Sequence, residues 1–275
     1  MVDISFMLVF ELALLGIASG FLAGLLGIGG GMVMVPVLTY LLTGVGIAAE
    51  LGVKMAIATS MSAILFTSIS SILAHQKRGA VRWDIVKHLA PGIVFGSLIS
   101  SAGAFALIKG SWLALFFSLF VTFSATQMFL DKKPKASRTM PGAVGKFSAG
   151  GVIGFLSGLV GAGGGFISVP FMTWCNVAIH NAVATSAALG FPIAIANVAG
   201  YIVSGQGIAE RPPNSIGYVW LLGLVVVAAF SVLTAPFGAK AAHALPVKKL
   251  KRTFACILYL VAAYMFYTGC RSNLA

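Results

Sequence analysis

Charged residues are scarce in this chain, and acidic ones most of all. Of its 275 residues 9 % are charged, with 6 Asp and Glu against 18 Lys and Arg. An average soluble chain carries about a quarter charged residues. The apolar fraction of 59 % and the mean hydropathy of +1.01 add to this deficit. The composition therefore excludes an ordinary soluble domain.

Motifs for catalysis, metal binding and secretion are also missing. Cys175, Cys256 and Cys270 fit no metal or redox spacing. The chain has no HExxH, no nucleophile elbow, no dinucleotide-binding GxGxxG and no ATP-binding motif. The N-terminus lacks a positive region and carries Asp3 and Glu11, which argues against a cleavable signal peptide. We therefore expect neither an enzyme nor a bound metal or cofactor.

What the chain has in abundance is apolar segments, many of them long enough to cross a bilayer. The basic residues fall in short clusters between these segments, which argues against a nucleic-acid-binding surface. The segments lie at about 4–27, 32–45, 53–75, 85–108, 111–130, 147–160, 166–178, 182–204, 216–239 and 253–270. The sequence predicts a polytopic membrane protein.

Two glycine runs interrupt these segments, and they are copies of one another. The stretch from Gly20 to Pro36 aligns with that from Gly154 to Pro170, with 11 of 17 positions identical. Glycine in a helix interior costs about 1 kcal/mol relative to alanine, so each run should end its helix. Glycines spaced by four precede each run and predict close helix packing; they lie at 16, 20 and 24 and at 150, 154 and 158.

A second repeated motif extends the duplication beyond the glycine runs. The segment Ala56–Ser60 matches Ala182–Ser186. The chain is therefore predicted to consist of an N-terminal repeat, 1–133, and a C-terminal repeat, 134–275, which together form one transmembrane domain.

The positions of the basic residues predict how the repeats are oriented. Fourteen of the 18 Lys and Arg residues lie in three regions, 77–87, 132–146 and 240–252. If these regions are cytoplasmic, each repeat crosses the membrane an odd number of times. We therefore predict an all-α polytopic membrane protein with two inverted repeats. Each repeat comprises a Gly-rich broken or re-entrant helix pair and three transmembrane helices.

Inverted repeats with interrupted helices are typical of secondary transporters, whose substrate site lies near the bilayer midplane. The start of the helix after each break exposes backbone N–H groups that suit an anion. The predicted substrate-binding residues are the glycines of the two breaks and the hydroxyl residues of the second motif. They are Gly29, Gly30, Gly31, Thr59, Ser60, Gly163, Gly164, Gly165, Thr185 and Ser186. The alternatives are that the glycines only permit tight packing and that the hydroxyls bond to their own helices.

Four further polar residues are candidates with less specific signals. Asn197 lies mid-segment and either lines the pathway or joins helices. Lys54 and His180 occupy equivalent positions and either steer an anion or anchor the interface. Glu11 is the only acid well inside an apolar run, so it is a candidate for proton coupling or for pairing with a neighbour.

The duplicated Gly-Phe-x-x-Gly-x-x-Gly-x-Gly-Gly-Gly-x-x-x-x-Pro motif and the two Ala-Thr-Ser segments resemble the TauE/SafE sulfite exporter family. The tail Pro236–Pro246, a basic run and a final apolar helix are also similar to that family. The resemblance covers nearly the whole chain. It implies a permease for small sulfur-containing anions such as sulfite or organosulfonates. His180 matches the family pattern better than Lys54.

From these features we expect a secondary transporter of a small oxyanion in a bacterial-type cytoplasmic membrane. Its expected partners are the anion and the lipid bilayer, with a homo-oligomer left open and no nucleic acid. The alternatives are a passive anion channel and a membrane assembly subunit without coupled transport. The sequence leaves open the solute, the direction of transport and the coupling ion.

Overall fold

In the computed structural model nearly the whole chain is helical. The structure describes residues 6–27, 30–130, 139–208, 212–244 and 247–274. Their helices are α1 (Phe6–Leu26), α2 (Gly31–Gly44), α3 (Ala49–Gln76), α4 (Trp83–Leu98), a π-helix (Ile99–Ala104), α5 (Phe105–Leu107), α6 (Gly110–Leu130), α7 (Ala143–Val160), α8 (Gly165–Trp174), α9 (Ile179–Ser204), α10 (Leu221–Ala244) and α11 (Val247–Leu274). The strands β1 (Ser215–Ile216) and β2 (Val219–Trp220) pair antiparallel.

Eight of the described helical segments are long and apolar enough to cross a membrane. They are α1, α3, α4 with the π-helix and α5, α6, α7, α9, α10 and α11. The first helices of the two broken pairs thus have spanning length themselves. One predicted segment began too early, because residues 215–220 form the small hairpin and α10 starts at Leu221.

Both predicted helix breaks are present and have matching backbone conformations. In the first, α1 ends at Leu26 and α2 begins at Gly31; in the second, α7 ends at Val160 and α8 begins at Gly165. Left-handed φ angles of 67° and 71° occur at Gly27 and Gly30, and of 71° and 74° at Gly161 and Gly164. A side chain disfavours this region, which explains why glycine repeats at these positions.

The glycine stripes that precede the breaks allow two close helix contacts. Gly16, Gly20 and Gly24 of α1 face successive turns of α10, at Val227, Ser231 and Ala235. Gly150 and Gly154 of α7 face Leu89 and Ile93 of α4 in the same way. A methyl group added at Gly16 would lie 2.8 Å from the Val227 carbonyl oxygen, so these positions do not accept even alanine without movement.

The residue pairs in these contacts also give the relative directions of the helices. Residue numbers rise together along the α1–α10 and α7–α4 contacts, so the helices of each pair are parallel. Both of these contacts join a helix of residues 1–133 to one of residues 134–275.

The two long helices α3 and α9 form the centre of the molecule. In the most apolar 18-residue stretch of each, 67 % of the residues are buried, the largest share among the eight spans. They pack against each other, and α6 packs against α11. The Ala-Thr-Ser motif of each repeat lies on one of these central helices.

Candidate functional site

The two helix breaks meet at the centre of the molecule. A methyl group added at Gly31, where α2 begins, would touch the carbonyl oxygen of Gly161, where α7 has just ended. The same methyl group would lie 2.9 Å from Ala162 Cα. The residues predicted from the two copies of one motif are therefore neighbours in space, because the halves pack with their breaks face to face.

A narrow cavity, with room for about one water molecule in this conformation, lies beside this contact. Residues from both halves line it: Ala23, Gly27, Ile64, Thr67, Ser68, Ser71, Gly163, Ser186, Ala187 and Gly190. None of the described residues that line it is charged. Its polar surface is made of hydroxyl groups and glycine backbone. The hydroxyls of Thr67, Ser68 and Ser186 already donate to carbonyl groups of the protein. This leaves Ser71 Oγ as the lining hydroxyl that can donate to an anion.

Of the residues predicted from sequence, Gly163 and Ser186 line this cavity. Gly30, Gly31, Gly164 and Gly165 lie in the breaks without being among its lining residues. Gly29 falls outside the described residues.

The serines of the two Ala-Thr-Ser motifs each bind the opposite break. Ser186 Oγ donates to the Gly27 carbonyl at 2.9 Å, and Ser60 Oγ donates to the Gly161 carbonyl at 3.1 Å. Ser168 Oγ in turn donates to Ser186 Oγ at 2.8 Å. These bonds satisfy carbonyls at the ends of α1 and α7 that have no partner inside their own helices.

The threonines also join the two halves. Thr59 Oγ1 accepts the backbone N–H of Trp220, directly before α10. Thr185 Oγ1 accepts the backbone N–H of Arg82, directly before α4. The sequence left two roles open for these threonines, anion binding and a hydrogen bond to their own helix. In the structure each threonine instead binds the residue that precedes a helix of the other half. Both threonine side chains are fully buried.

The polar face of α3 was missed by the sequence reasoning. Thr67, Ser68 and Ser71 contribute three of the hydroxyls that line the cavity, and all are buried. Ser71 Oγ has no hydrogen-bond partner among the described residues. Spacing by one and four residues places the three on one side of a helix, and that spacing is the signal that could have identified them.

Asn197 lies outside the cavity, although its counterpart Ser71 lines it. Its side chain is fully buried in α9, and Nδ2 donates to the Ile193 carbonyl at 2.8 Å. One turn further along, Tyr201 OH donates to the Gly158 carbonyl. In the other half, His75 Nε2 contacts the Gly24 carbonyl at 3.2 Å. His75, buried one turn beyond Ser71, was also missed.

Lys54 binds the end of a helix at the periphery of the site. Its Nζ donates to the Ala106 carbonyl at 3.1 Å and lies 5.8 Å and 5.6 Å from the ring centres of Phe105 and Tyr218. Burial raises the pKa of the Tyr218 phenol, which therefore stays neutral. One turn before Lys54, Glu50 accepts the backbone N–H of Gly110 at 2.6 Å. Together the two side chains hold the chain reversal between α5 and α6.

The two remaining candidates lie apart from the cavity. His180 is exposed in the first turn of α9. Glu11 is half-buried in α1 and forms no ion pair among the described residues. Neither is a lining residue.

In the part of the chain that the structure describes, eight apolar helices of spanning length surround a central pair of helix breaks, as in an integral membrane protein. Residues 12–265 match the family model described as Sulfite exporter TauE/SafE. The chain belongs to this family, and the description of the family and the names of its relatives indicate a membrane transporter rather than an enzyme.

Three curated relatives cover nearly the full length of the chain. A "Probable membrane transporter protein" of Haemophilus influenzae is 38 % identical over 92 % of this chain and 96 % of its own. A relative of the same description from Methanocaldococcus jannaschii is 28 % identical, over 92 % and 94 %. One from Bacillus subtilis is 26 % identical, over 94 % and 97 %. No solved structure gave a significant match.

Proposed function

We propose that this protein is a secondary transporter of a small oxyanion, with sulfite or an organosulfonate as the substrate, in the cytoplasmic membrane. The observation that carries the proposal is the narrow cavity between the two helix breaks. Its Ser71 hydroxyl has no partner among the described residues, and its lining carries no fixed charge. Such a site, widened by a movement of the two halves, can bind an anion and release it again. The description of the family supports the sulfur-containing class.

The register of the helix contacts supports inverted repeats. In addition to the parallel α1–α10 pair, α3 runs parallel to α10, because Thr59 meets Trp220 and Thr67 meets Ser231. By contrast, α3 runs antiparallel to α9, because Ser68 meets Gly190 whereas Ala80, just after α3, meets Asn181. A helix and its counterpart in the other repeat thus point in opposite directions.

The position of α2 supports a re-entrant first pair. Gly52 of α3 faces Leu42 and Thr43 at the end of α2, with 3.8 Å and 3.5 Å to an added methyl group. A methyl group at Gly161 would contact Val35 of α2 and Ile57 of α3 at 3.0 Å and 3.1 Å. Helix α2 therefore runs antiparallel to α3 and leads from the central break back to the side where α3 begins.

This arrangement suggests alternating access around a fixed central site. In inverted-repeat transporters, one repeat rocks against the other and exposes the midplane site to either side in turn. Here the halves meet at the breaks and at the hydroxyl bonds of the two Ala-Thr-Ser motifs. These contacts are where such a movement would open and close the cavity.

Flux measurements in proteoliposomes test the proposal. We expect saturable uptake of sulfite or a short sulfonate, competed by the related oxyanions, and no uptake in protein-free liposomes. Binding also stabilises the folded state in proportion to occupancy. The same solute should therefore raise the unfolding temperature of the purified protein, while chloride should not.

Two results would contradict this function. Absence of saturable flux for every oxyanion in a panel of sulfite, thiosulfate, sulfate and short sulfonates would exclude the substrate class. Flux that rises linearly with concentration and ignores every ion gradient would favour the passive channel.

A further inference from the structure

A second set of buried polar atoms lies between α4, the π-helix, α7 and α9, apart from the cavity. We call it the oxygen cluster; it consists of Ser97, Ser100, Ser157 and Asn197. Each residue is at most 2 % exposed. The three hydroxyl oxygens and Asn197 Oδ1 have no hydrogen-bond partner among the described residues. Buried polar atoms are normally paired, so a bound water or ion is the expected partner of this cluster.

Three of the four oxygens lie against one face of α7 near its end. The fourth, Ser157 Oγ, belongs to the last turn of α7 itself and lies 3.0 Å from a methyl group added at Gly164. A methyl group added at Gly158 would touch Asn197 Oδ1 and lie 2.6 Å from Ser100 Oγ. One added at Gly154 would lie 2.8 Å from Ser97 Oγ. Gly154, Ser157 and Gly158 share this face because they are three and four residues apart. The absence of side chains at the two glycines lets the oxygens approach the helix.

The polarity of the oxygen cluster suits a cation. Asn197 Nδ2 donates its hydrogen bond to the Ile193 carbonyl, so Oδ1 is the atom that faces the cluster. The last turn of α7 carries the negative end of the helix dipole. Ser100 lies in the π-helix, and π-helical turns frequently mark functional sites.

The other repeat lacks this chemistry at the equivalent place. In the repeat alignment Ala23 corresponds to Ser157, and Ser71 corresponds to Asn197. Arg82 and Trp220 are equivalent because each donates to the motif threonine directly before its helix. That alignment places Ala235 opposite Ser97 and Gly238 opposite Ser100. Ala23 and Ser71 line the cavity. The two repeats therefore place side chains of different polarity at equivalent positions, beside the cavity in one repeat and in the oxygen cluster in the other.

We propose that the oxygen cluster binds Na⁺. Neutral oxygens are suitable ligands for a hard monovalent cation, and unwound helices supply such oxygens in ion-coupled transporters. Hydroxyl and amide groups do not titrate near neutral pH, so a proton cannot be the bound species. That the bound Na⁺ serves as the coupling ion rests on the proposed transport function; its binding does not.

Binding is measured on the purified full-length protein without any transport substrate. Unfolding temperatures and ²²Na⁺ binding are compared in NaCl, KCl and choline chloride at equal ionic strength. We expect Na⁺ alone to stabilise the wild type. Ser97→Ala and Ser157→Ala each remove one oxygen and introduce the alanine of the other repeat. Each should weaken Na⁺ binding about tenfold or more, as lost metal-site partners do.

Ser124→Ala is the matched control. Ser124 is a buried serine of α6 whose hydroxyl donates to the Phe120 carbonyl, far along the chain from the cluster. It should keep the Na⁺ response unchanged. A wild type equally stable in all three salts, as expected if the cluster holds only water, would overturn the proposal. Undiminished Na⁺ binding by both cluster variants would also overturn it.

Transport assays then separate the two proposals. Na⁺-specific binding without flux of any oxyanion would support the cation site and contradict the proposed function. Oxyanion flux that is insensitive to Na⁺, in a protein that binds Na⁺, would keep the site and refute its coupling role. Flux driven by an inward Na⁺ gradient, and reduced in Ser157→Ala, is the expected result.

Discussion

At the scale of single residues, Ser60 and Ser186 form the same kind of hydrogen bond but have different surroundings. Each donates its hydroxyl to the glycine carbonyl at the end of the opposite broken helix. Only Ser186 is also among the lining residues of the cavity. The repeat therefore contains a natural matched pair for separating stability from substrate binding.

We predict that Ser60→Ala and Ser186→Ala both lower the free energy of unfolding, and that Ser186→Ala lowers it more because it also removes the acceptor of the buried Ser168 hydroxyl. Each leaves a buried carbonyl without its partner, which costs about 1–3 kcal/mol. Ser186→Ala should in addition raise the KM for the anion, whereas Ser60→Ala should change it little. Thermal unfolding and initial flux rates, normalised to folded protein, measure both quantities. Equal KM values for the two variants would show that Ser186 does not contact the substrate.

At the scale of elements, the helix breaks depend on backbone conformation as well as on space. Gly30 and Gly164 have φ angles of 71° and 74° directly before α2 and α8. A methyl group at Gly30 would lie 2.5 Å from the Ser19 carbonyl oxygen, and one at Gly164 would lie 2.5 Å from Ile193 Cδ1. Added side chains here meet protein atoms rather than the cavity, so their effect is to displace the break.

We predict that Gly30→Val and Gly164→Val abolish flux. The left-handed conformation costs a residue with a side chain about 1–2 kcal/mol, and the clash adds to this. Gly46→Ala is the control, because its φ of 90° brings strain while nothing lies within 4 Å of an added methyl group. Gly46→Ala should lower the unfolding temperature and still transport. Wild-type flux in either valine variant would show that the break conformation is dispensable.

At the scale of the whole molecule, the central contacts join one half to the other. Thr59 and Thr185 hold the starts of α10 and α4, and the breaks touch at Gly31 and Gly161. The contacts of the glycine stripes also connect the halves. The halves are therefore expected to unfold together.

The proposed inverted arrangement of the repeats makes a prediction about the two sides of the membrane. Lys77 follows α3, and Gly207 follows its counterpart α9 in an exposed turn. With Cys175, Cys256 and Cys270 replaced by serine, Gly207→Cys should react with a membrane-impermeant maleimide on intact cells. Lys77→Cys should react only after the membrane is permeabilised. Labelling of both sites from the same side would refute inverted repeats.

Much of the fold could be predicted because its signals are local. Apolar segment length identifies spanning helices, and a run of glycines ends a helix wherever it occurs. The breaks at 27–30 and 161–164 follow from that property, as do the glycine stripes. The start of α10 was placed too early because residues 215–220 are apolar enough to extend the helix and pair as strands instead.

The site was predicted only in part, because its composition depends on which side chains meet across helices. The two glycine breaks follow from the sequence, whereas their contact at Gly31 and Gly161 is a feature of the packed structure. It treated Ser60 and Ser186 alike, yet the cavity opens beside Ser186, next to Ala23 and Ser71. At the equivalent place Ser157 and Asn197 lie within the oxygen cluster.

The sequence alone thus determined that the protein is a duplicated, helix-broken membrane protein, because hydropathy, glycine runs and repeats are properties of the chain itself. The tertiary structure decided which of two equivalent positions is a cavity and which is a cluster of oxygens. The physical reason is that the two positions have matching backbone conformations but different side-chain volumes and polarities. Those differences act only once α3, α4, α7, α9 and α10 are packed together.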